Sequence, residues 1–370
     1  MISIVIPVHN EKQRLDRCLA ALRGQSVQPE LEIVVVDDGS TDGGVDYLER
    51  SGVRVVRQVN QGPAAARNTG AASARGDIIL FIDADCVADA NWLREMLRPF
   101  EDSEVVAVKG AYRTRQRGLV ARFVQIEFEH RYRRLRNSRR VDFLASYSVG
   151  FRRRYFLDIG GFRADLIMNE DVELAYRISH SGGKMVFNRN AAVYHEHPET
   201  LRSYFLIKFW RGYWRAVVYK KYPGKAVSDS YTPPSLKFQV LSVYLVSLCG
   251  LAGLVIPRGL LAAGLVAGVS TATMARFTLR ALRRDFAVAL LSVPLLWVRA
   301  TALMAGTAAA LIAVGRARAM NYRRTKRVPA DESPRLPGGE MGQTPAPGPA
   351  MVVPTPAEAR VRRGGLGKDA

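Results

Sequence analysis

The segment from Ile78 to Cys86 constrains the fold of this chain most, because it joins a continuous apolar run to two acidic residues. The five apolar residues 78–82 predict a buried β-strand, and Asp83 and Asp85 follow at its end. In a parallel sheet, ligands bind beyond the carboxyl ends of the strands. Because residues two apart in a strand share a face, the two carboxylates are predicted to approach one cation together. An ordinary polar turn after a strand has the same composition and is the alternative.

Three further apolar runs indicate an α/β sheet. They comprise residues 2–8, 33–36 and 53–56, and residues 11–24 between the first two carry apolar side chains at helical spacing. Strands that alternate with helices predict a parallel, doubly wound sheet. Acidic residues follow these strands too, at Glu11, Asp37 and Asp38. Together with Asp83 and Asp85, they predict a nucleotide site at one edge of the sheet.

Six motifs in the first 200 residues resemble, in order, those of the family-2 glycosyltransferases of the GT-A type. They are residues 4–11 (IVIPVHNE), 35–42 (VVDDGSTD), 62–70 (GPAAARNTG), 83–85 (DAD), 160–162 (GGF) and 169–177 (NEDVELAYR). The resemblance implies a GT-A-type nucleotide-binding sheet with flanking helices. It also implies transfer of a sugar from a nucleotide-sugar donor to an acceptor, with inversion at the anomeric carbon.

The resemblance assigns roles to individual residues. It implies that the donor is bound by Pro7, Asn10, Glu11, Asp38, Arg67 and Asp83. It implies that Mg²⁺ or Mn²⁺ bridges Asp83 and Asp85 to the diphosphate, with His195 as a further ligand in parts of the family. It makes Asp171 the catalytic base, with Glu170 as the next candidate.

The chemistry of sugar transfer accounts for these residue types independently. A nucleoside diphosphate leaves with growing negative charge, so a divalent cation beside it lowers the barrier. An acceptor hydroxyl loses its proton as it attacks, which requires a positioned carboxylate. Glu170 and Asp171 open a predicted helix, where an acid can also serve only as a cap or dipole partner. His195 follows an apolar run and is either a metal ligand or a structural histidine.

The second half of the chain contains three apolar blocks, residues 239–256, 260–275 and 286–315. Their lengths are close to what a bilayer span requires. Arginines 276–284 and the basic residues after 315 should lie on the cytoplasmic side. Pro294 and Arg299 interrupt the third block, which is therefore either a simple span or a re-entrant hairpin. We predict an integral protein of the cytoplasmic membrane with its catalytic domain facing the cytoplasm.

The formal net charge of +20 arises from 54 basic and 34 acidic residues, and two basic, aromatic segments contribute to it. These segments, residues 113–140 and 201–222, are typical of surfaces that lie on anionic membrane lipids. Nucleic acid also binds such surfaces, but the neighbouring apolar blocks argue against it. Residues 210–215 lack the Arg-Trp pair of processive family members. We therefore predict the addition of single sugars to a lipid-linked or glycolipid acceptor.

These patterns predict four parts: a catalytic domain 1–200, an amphipathic interfacial segment 201–235, a transmembrane region 236–315 and a basic, disordered tail 316–370. The three cysteines are odd in number and indicate a reducing compartment, and we expect no secretory signal. Two alternatives to a glycosyltransferase remain. One is a nucleotidyl- or phospho-sugar transferase, and the other is an inactive transferase-like membrane scaffold.

Overall fold

The secondary structure alternates between strands and helices in its first half and is helical in its second half. The computed structural model describes residues 1–27, 29–48, 51–136 and 138–326, and for residues 314–326 only the backbone. The strands are β1 Ile2–Val8, β2 Leu31–Asp38, β3 Arg54–Gln58, β4 Ile78–Ile82, β5 Val87–Ala88, β6 Val105–Arg113, β7 Ser148–Arg152 and β8 Lys184–Tyr194. The helices are α1 Lys12–Arg23, α2 Pro63–Ser73, α3 Trp92–Leu97, α4 Leu119–Arg136, α5 Arg153–Asp158, α6 Glu170–His180, α7 Leu201–Lys221, α8 Pro223–Val227, α9 Pro234–Ala252, α10 Arg258–Ala272, α11 Ala275–Leu282 and α12 Phe286–Lys326.

The strands form one sheet in the order β3-β2-β1-β4-β7-β6-β8-β5. β3, β2, β1 and β4 are parallel, whereas β7 is antiparallel to both β4 and β6. The prediction of a parallel sheet is therefore confirmed for β1 to β4 and for the β6–β8 pair, and it is wrong for β7 and β5, which are antiparallel to their neighbours. For β7, the reason is the connection through α4, which leaves the end of β6 and enters β7 at the same edge of the sheet. β7 must therefore run in the opposite direction to β6.

Helices cover both faces of the central strands, so their apolar residues are buried on both sides. In β1, Ile4, Val5 and Ile6 are completely buried. Each such side chain contributes roughly 1.5–3 kcal/mol by its removal from water. Helix α2 lies so close to β1 that a Cβ at Gly70 would come within 2.3 Å of the Val5 side chain. Arg67, three residues earlier in α2, contacts Asp83 just after the end of β4.

The carboxyl ends of β1 and β2 are tied together by the loops that follow them. The backbone N–H of Asn10 donates to the hydroxyl of Ser40 at 3.1 Å, and the Asn10 side-chain oxygen accepts from the Thr41 N–H at 2.7 Å. Asn10 adopts a left-handed conformation, with φ of 54°, which asparagine tolerates better than most residues. The two loops thus form one edge of a site beside the end of β4.

Two described helices are long and apolar enough to cross a membrane. They are Pro234–Ala252 and the Phe286–Ala313 part of α12, and α10 with α11 forms a third candidate that is bent by 40°. The chain thus has two candidate spans, or three if the bent pair is one. Of the two alternatives for the third apolar block, the structure favours the simple span, because α12 continues through Pro294 and Arg299. Arg299 is accommodated by a carboxylate partner, Glu127, at 2.8 Å.

Residues Met1–Leu311 form one compact unit, which contains the sheet and most of the apolar helices. The two basic, aromatic segments of the sequence correspond largely to α4 and α7. The four-part division of the chain stays a prediction. The predicted disordered tail lies outside the described residues beyond residue 326.

Candidate active site

Arg67 in α2 lies at the centre of the candidate site. Its guanidinium donates to the Asp83 carboxylate at 2.7 Å and to the Glu170 carboxylate at 3.2 Å. The Arg67 side chain is only 5 % exposed, so these charge-assisted hydrogen bonds are shielded from water. Arg67 therefore joins the end of β4 to the start of α6.

The start of α6 presents two adjacent acids in different environments. Asn169 precedes the helix in a left-handed conformation, with φ of 65°. Glu170 is buried and accepts hydrogen bonds from Arg67 and from the Ser146 hydroxyl at 3.3 Å. Asp171 is partly exposed and accepts from the backbone N–H groups of Ser146 at 3.3 Å and Val172 at 2.7 Å. Of the two carboxylates, Asp171 is the one that a substrate can reach.

The surroundings of these two acids favour their protonated forms relative to water. Burial raises the pKa of Asp171, although the Ser146 N–H and the nearby Arg215 guanidinium act to lower it. Burial, followed by the charge of Asp171, raises the pKa of Glu170 despite the opposing effect of Arg67. A carboxylate with a raised pKa is a better proton acceptor than an ordinary one, provided that it is ionised at the working pH.

Asp85 faces His195 rather than Asp83. The His195 Nε2 atom lies 3.2 Å from the Asp85 carboxylate, and the His195 ring stacks on Tyr112 with centroids 4.5 Å apart. Burial acts to raise the pKa of Asp85, but His195 outweighs it and the pKa falls to about 2. The strand argument that placed Asp83 and Asp85 on one face does not hold, because β4 ends at Ile82 and both acids lie in the turn after it.

Asp85 and His195 provide too few ligands to bind a metal ion by themselves, and they need substrate oxygens to complete its coordination shell. Within the described ranges, no three His, Cys, Asp or Glu side chains come together as a ready-made metal site. Asp85 and His195 nevertheless offer an oxygen and a nitrogen to one point between them. Mg²⁺ and Mn²⁺ accept one or two protein ligands when diphosphate oxygens and water complete the shell. Asp83, which pairs with Arg67, lies two residues before Asp85 in the segment that follows β4.

The predicted donor-binding residues Glu11 and Asp38, near the ends of β1 and β2, form hydrogen bonds with other groups of the protein. Glu11 accepts two hydrogen bonds of 2.9 Å from Arg14, and burial raises its pKa against the effect of that arginine. Asp38 is 4 % exposed and accepts hydrogen bonds from Gln58 at 2.7 Å and from two backbone N–H groups, at residues 61 and 62, at 2.8 Å. Asp38 therefore shapes the loop that leads into α2. Pro7 is partly buried within β1.

Sequence reasoning missed three side chains that the fold brings to the site. Ser146 contacts both acids of α6 from the loop before β7. Arg14 binds Glu11 from the first helix, and Tyr112 supports the ring of His195 from β6. No motif contains these residues. Only the pairing of distant segments in the fold shows that they belong here.

The match to known families agrees with this geometry. Residues 3–160 match the model of glycosyl transferase family 2. The chain carries a family-2 glycosyltransferase domain. The matched range includes the loops after β1 and β2, helix α2 and the turn after β4, and it ends shortly before the acids of α6.

Curated relatives of this glycosyltransferase domain are also glycosyltransferases. The chain is similar to the pre-mycofactocin glycosyltransferase of Mycobacterium tuberculosis, with 30 % identity over 235 residues that cover 60 % of this chain and 48 % of that protein. It is also similar to glycosyltransferase AglE of Haloferax volcanii, with 27 % identity over 207 residues that cover 50 % of this chain and 64 % of that one. The chain thus spans about half the length of the mycobacterial relative.

A solved structure supports the fold. The chain resembles the mannosyltransferase PcManGT from Pyrobaculum calidifontis, in complex with GDP-Man and Mn²⁺, with a TM-score of 0.55 and 20 % identity. The match covers 84 % of this chain and 86 % of that protein. The GT-A-type sheet with flanking helices, followed by apolar C-terminal helices, is therefore confirmed.

Proposed function

We propose that this protein is an inverting, non-processive glycosyltransferase that moves one sugar from a nucleotide-sugar donor to a membrane-bound acceptor. The observation that carries the proposal is the convergence of Asp83, Glu170 and Asp171 around Arg67. They meet at the carboxyl edge of a family-2 sheet that belongs to one compact unit with membrane-length helices.

The donor nucleotide lies along the loops after β1 and β2 in this proposal. Asn10 and Glu11 line the first loop, and Asp38 fixes the path of the segment that enters α2. Pro7 gives the end of β1 its rigid shape. The diphosphate then lies near Asp83 and Asp85, where Arg67 lowers the cost of placing an anion beside carboxylates. The relative PcManGT, which binds GDP-Man, supports a nucleotide sugar as the donor class.

Transfer begins when the acceptor hydroxyl approaches the anomeric carbon from the side of Asp171. The hydroxyl oxygen forms a bond to that carbon while the bond from the carbon to the diphosphate oxygen breaks. The hydroxyl proton passes to the Asp171 carboxylate, and the bonding electron pair leaves with the nucleoside diphosphate. Attack opposite the leaving group inverts the anomeric configuration. The hydrogen bonds from Ser146 and Val172 keep the Asp171 carboxylate in position for this step.

Asp85 and His195, with Asp83 beside them, would hold Mg²⁺ or Mn²⁺ together with diphosphate oxygens. When bound, such an ion supplies positive charge that stabilises the leaving group. The Mn²⁺ in the complex of PcManGT supports this assignment. The low pKa of Asp85 keeps its carboxylate ionised and available as a ligand.

The acceptor is membrane-bound in this proposal, because the site and the apolar helices belong to one compact unit. Helices α4 and α7 carry basic and aromatic residues of the kind found at the headgroup level of a bilayer. The use of a nucleotide sugar, together with the arginines in and just after α11, supports a catalytic domain on the cytoplasmic side. The partners are thus a soluble donor, a lipid-linked or glycolipid acceptor, and membrane lipids rather than nucleic acid.

A donor screen tests the proposal. Membranes that contain the full chain, and matched membranes that contain Asp171→Asn, are incubated with individual nucleotide sugars, and lipids and nucleotides are analysed by mass spectrometry. We expect one donor to yield a glycosylated lipid and an equal amount of nucleoside diphosphate only with the unaltered chain. Release of nucleoside monophosphate would instead indicate a phospho-sugar transferase. No product from any donor would favour the inactive scaffold.

A further inference from the structure

A large cavity lined by arginines lies between the sheet and α11. Its volume is about 940 Å³, and seven arginines and one carboxylate, Glu129, line it. The arginines come from four parts of the fold: Arg113 from β6, Arg133, Arg134 and Arg136 from α4, Arg189 from β8, and Arg280 and Arg284 from and just after α11. Such convergence from distant segments differs from a basic run along one helix.

Most of these charges have no acidic partner among the residues that the structure describes. Arg113 pairs with Asp89, and Arg284 pairs with Glu129. Within the described part of the chain, no carboxylate lies within 4.0 Å of the other five guanidiniums. Like charges around one cavity repel one another, and an anion in the cavity relieves that repulsion.

Burial and the same positive charges lower the pKa of His130 on α4. Its ring nitrogen lies 2.8 Å from the Arg280 guanidinium, so the ring must act as a hydrogen-bond acceptor there. Burial and the adjacent Arg280 lower the pKa of His130 to about 4. His130 is therefore neutral at physiological pH and adds no charge, while it directs Arg280 along the cavity wall.

A second cavity of about 510 Å³ adjoins the first and differs in character. The two share His130, Arg134 and Arg280 as lining residues. The second extends between the starts of α9 and α11 and the first half of α12, where Pro234, Leu236, Met274, Phe277 and Leu296 supply apolar surface. A cationic chamber thus continues into one that adds this apolar surface to further charged residues, Glu127, Arg131, Arg276 and Arg299, beside helices of membrane length.

The arginine-lined cavity also reaches the candidate active site. Tyr112 lines it, and the same ring stacks on His195. The Arg113 carbonyl accepts a hydrogen bond of 2.9 Å from the His195 N–H. A ligand held in the cavity therefore lies next to Tyr112, whose ring stacks on His195.

We infer that these joined cavities bind a lipid phosphate, with the phosphate among the arginines and the first part of the hydrocarbon chain in the apolar cavity. This inference rests on the proposed function, because it makes the membrane-bound acceptor a lipid that carries a phosphate or diphosphate. Arginine suits this ligand, since its planar donor pairs match phosphate oxygens. The apolar continuation selects a lipid over free phosphate or nucleic acid.

Equilibrium binding to the full-length chain in neutral detergent tests the inference. The probes are dodecyl phosphate, dodecanol and inorganic phosphate. Dodecyl phosphate should bind at least tenfold more tightly than either of the other two, because it alone satisfies both cavities. Equal affinity for dodecanol would show that the arginines do not select the ligand. Equal affinity for inorganic phosphate would show that the protein does not recognise the hydrocarbon part of the ligand. Either result would overturn the inference.

Arginine variants locate the site. Arg133→Gln with Arg189→Gln removes two exposed charges that line the cavity from α4 and from β8, and Arg280→Gln alone provides an independent variant. Both variants should lower the affinity for dodecyl phosphate at least tenfold. Arg154→Gln, a substitution on α5 of a side chain that is 95 % exposed, should leave this affinity unchanged. Unchanged affinity in both cavity variants would overturn the assignment. Binding of UDP and GDP with Mn²⁺ is measured in parallel, so that a defect in the donor site is distinguished from a defect in this one.

Discussion

At the scale of single residues, the difference between Glu170 and Asp171 defines the chemistry of the site. The Glu170 carboxyl group is buried and accepts hydrogen bonds from Arg67 and Ser146, whereas Asp171 is partly exposed. A buried carboxyl group that is hydrogen-bonded to an arginine and a serine is fixed in place, which suits positioning. A partly exposed carboxylate with a raised pKa suits proton transfer. Adjacent positions in one helical turn therefore serve different roles.

The raised pKa of Asp171 predicts a pH dependence. The base works only when ionised, so kcat should fall as the pH is lowered through the folded-state pKa of Asp171. Because that pKa is raised, the acid limb should lie above the ordinary value for aspartate, about 3.9. The kcat of the full chain, measured against pH at saturating donor and acceptor, checks this. A rate that stays constant down to about pH 4 would contradict the assignment.

Metal dependence is predicted to act through Asp85. Asp85→Asn should lower turnover by about two orders of magnitude or more, because charge stabilisation of the leaving diphosphate is lost. Added Mn²⁺ should restore little of it, and chelator should inactivate the unaltered chain. Asp77→Asn, an exposed aspartate at the opposite end of β4, is the matched control and should keep full activity. Full activity of Asp85→Asn in chelator would exclude the metal role.

The motifs predicted where the site residues lie in the chain, but not what each one contacts. The positions of Asp83, Asp85 and Asp171 at strand and helix ends follow from apolar runs and their boundaries. The three hydrogen bonds that occupy Asp38 depend on the path of residues 58–62, which no spacing rule describes. Ser146 reaches the site only because β7 pairs beside β4.

At the scale of elements, the crossing of α7 and α12 determines how the catalytic domain meets its apolar helices. A Cβ at Gly212 of α7 would lie 2.4 Å from the Leu303 carbonyl oxygen, and one at Gly306 of α12 would lie 1.9 Å from the Phe209 carbonyl oxygen. The two backbones are thus in contact on both sides of the crossing. Glycine is required because any side chain would force the helices apart.

Gly306→Val is predicted to destabilise the protein. The added side chain must displace the α7 backbone, and overpacking of this kind typically costs about 1–3 kcal/mol or more. The matched control is Gly264→Val in α10, where a Cβ has no heavy atom within 4 Å. The melting temperature of each variant in neutral detergent checks this. Equal melting of the two variants would show that the helices do not cross as described.

Elements were predictable from sequence where local patterns are strong. Continuous apolar runs predict β1, β2 and β4, and apolar residues at helical spacing predict α1. The antiparallel β7 was not predictable, because Ser148–Arg152 is short and its direction depends on where α4 returns the chain. The continuity of the third apolar block at Arg299 was also not predictable, because a charge there looks disruptive until its partner on α4 is known.

At the scale of the whole molecule, a buried charge cluster joins the catalytic domain to the apolar helices. Glu127 of α4 is 1 % exposed and lies 2.9 Å from Lys208 of α7, 2.8 Å from Arg299 of α12 and 3.6 Å from Arg131. Burial acts to raise the pKa of Glu127, but these cations hold it well below its usual range. One carboxylate therefore balances three cations from three helices.

Glu127→Gln should destabilise the whole unit rather than one helix. The substitution leaves the three cations buried without a counter-charge, and loss of one partner of a buried pair typically costs about 3–5 kcal/mol. Glu129→Gln on the same helix is the matched control, since its partner Arg284 is half exposed and the expected loss is at most about 1 kcal/mol. Denaturant unfolding in detergent compares the two. Similar losses would show that the cluster does not join the helices.

The central claim for the whole molecule is that Asp171 takes the proton of an acceptor hydroxyl during sugar transfer. Asp171→Asn keeps the size of the side chain, and its single amide oxygen can accept one of the two backbone hydrogen bonds that the carboxylate accepts from Ser146 and Val172, but it cannot act as a base. A general base acts in the transition state, so its loss should lower the maximal rate more than donor affinity. Glu170→Gln is the comparison variant, because Glu170 is buried and paired with Arg67.

The decisive measurement is donor binding by calorimetry beside transfer at saturating acceptor, for the unaltered chain and Asp171→Asn. We predict near-normal donor affinity and a transfer rate reduced by about two orders of magnitude or more. Normal transfer by Asp171→Asn would contradict the account and direct attention to Glu170. Loss of donor binding would contradict it as well, because Asp171 would then be a donor ligand rather than the base.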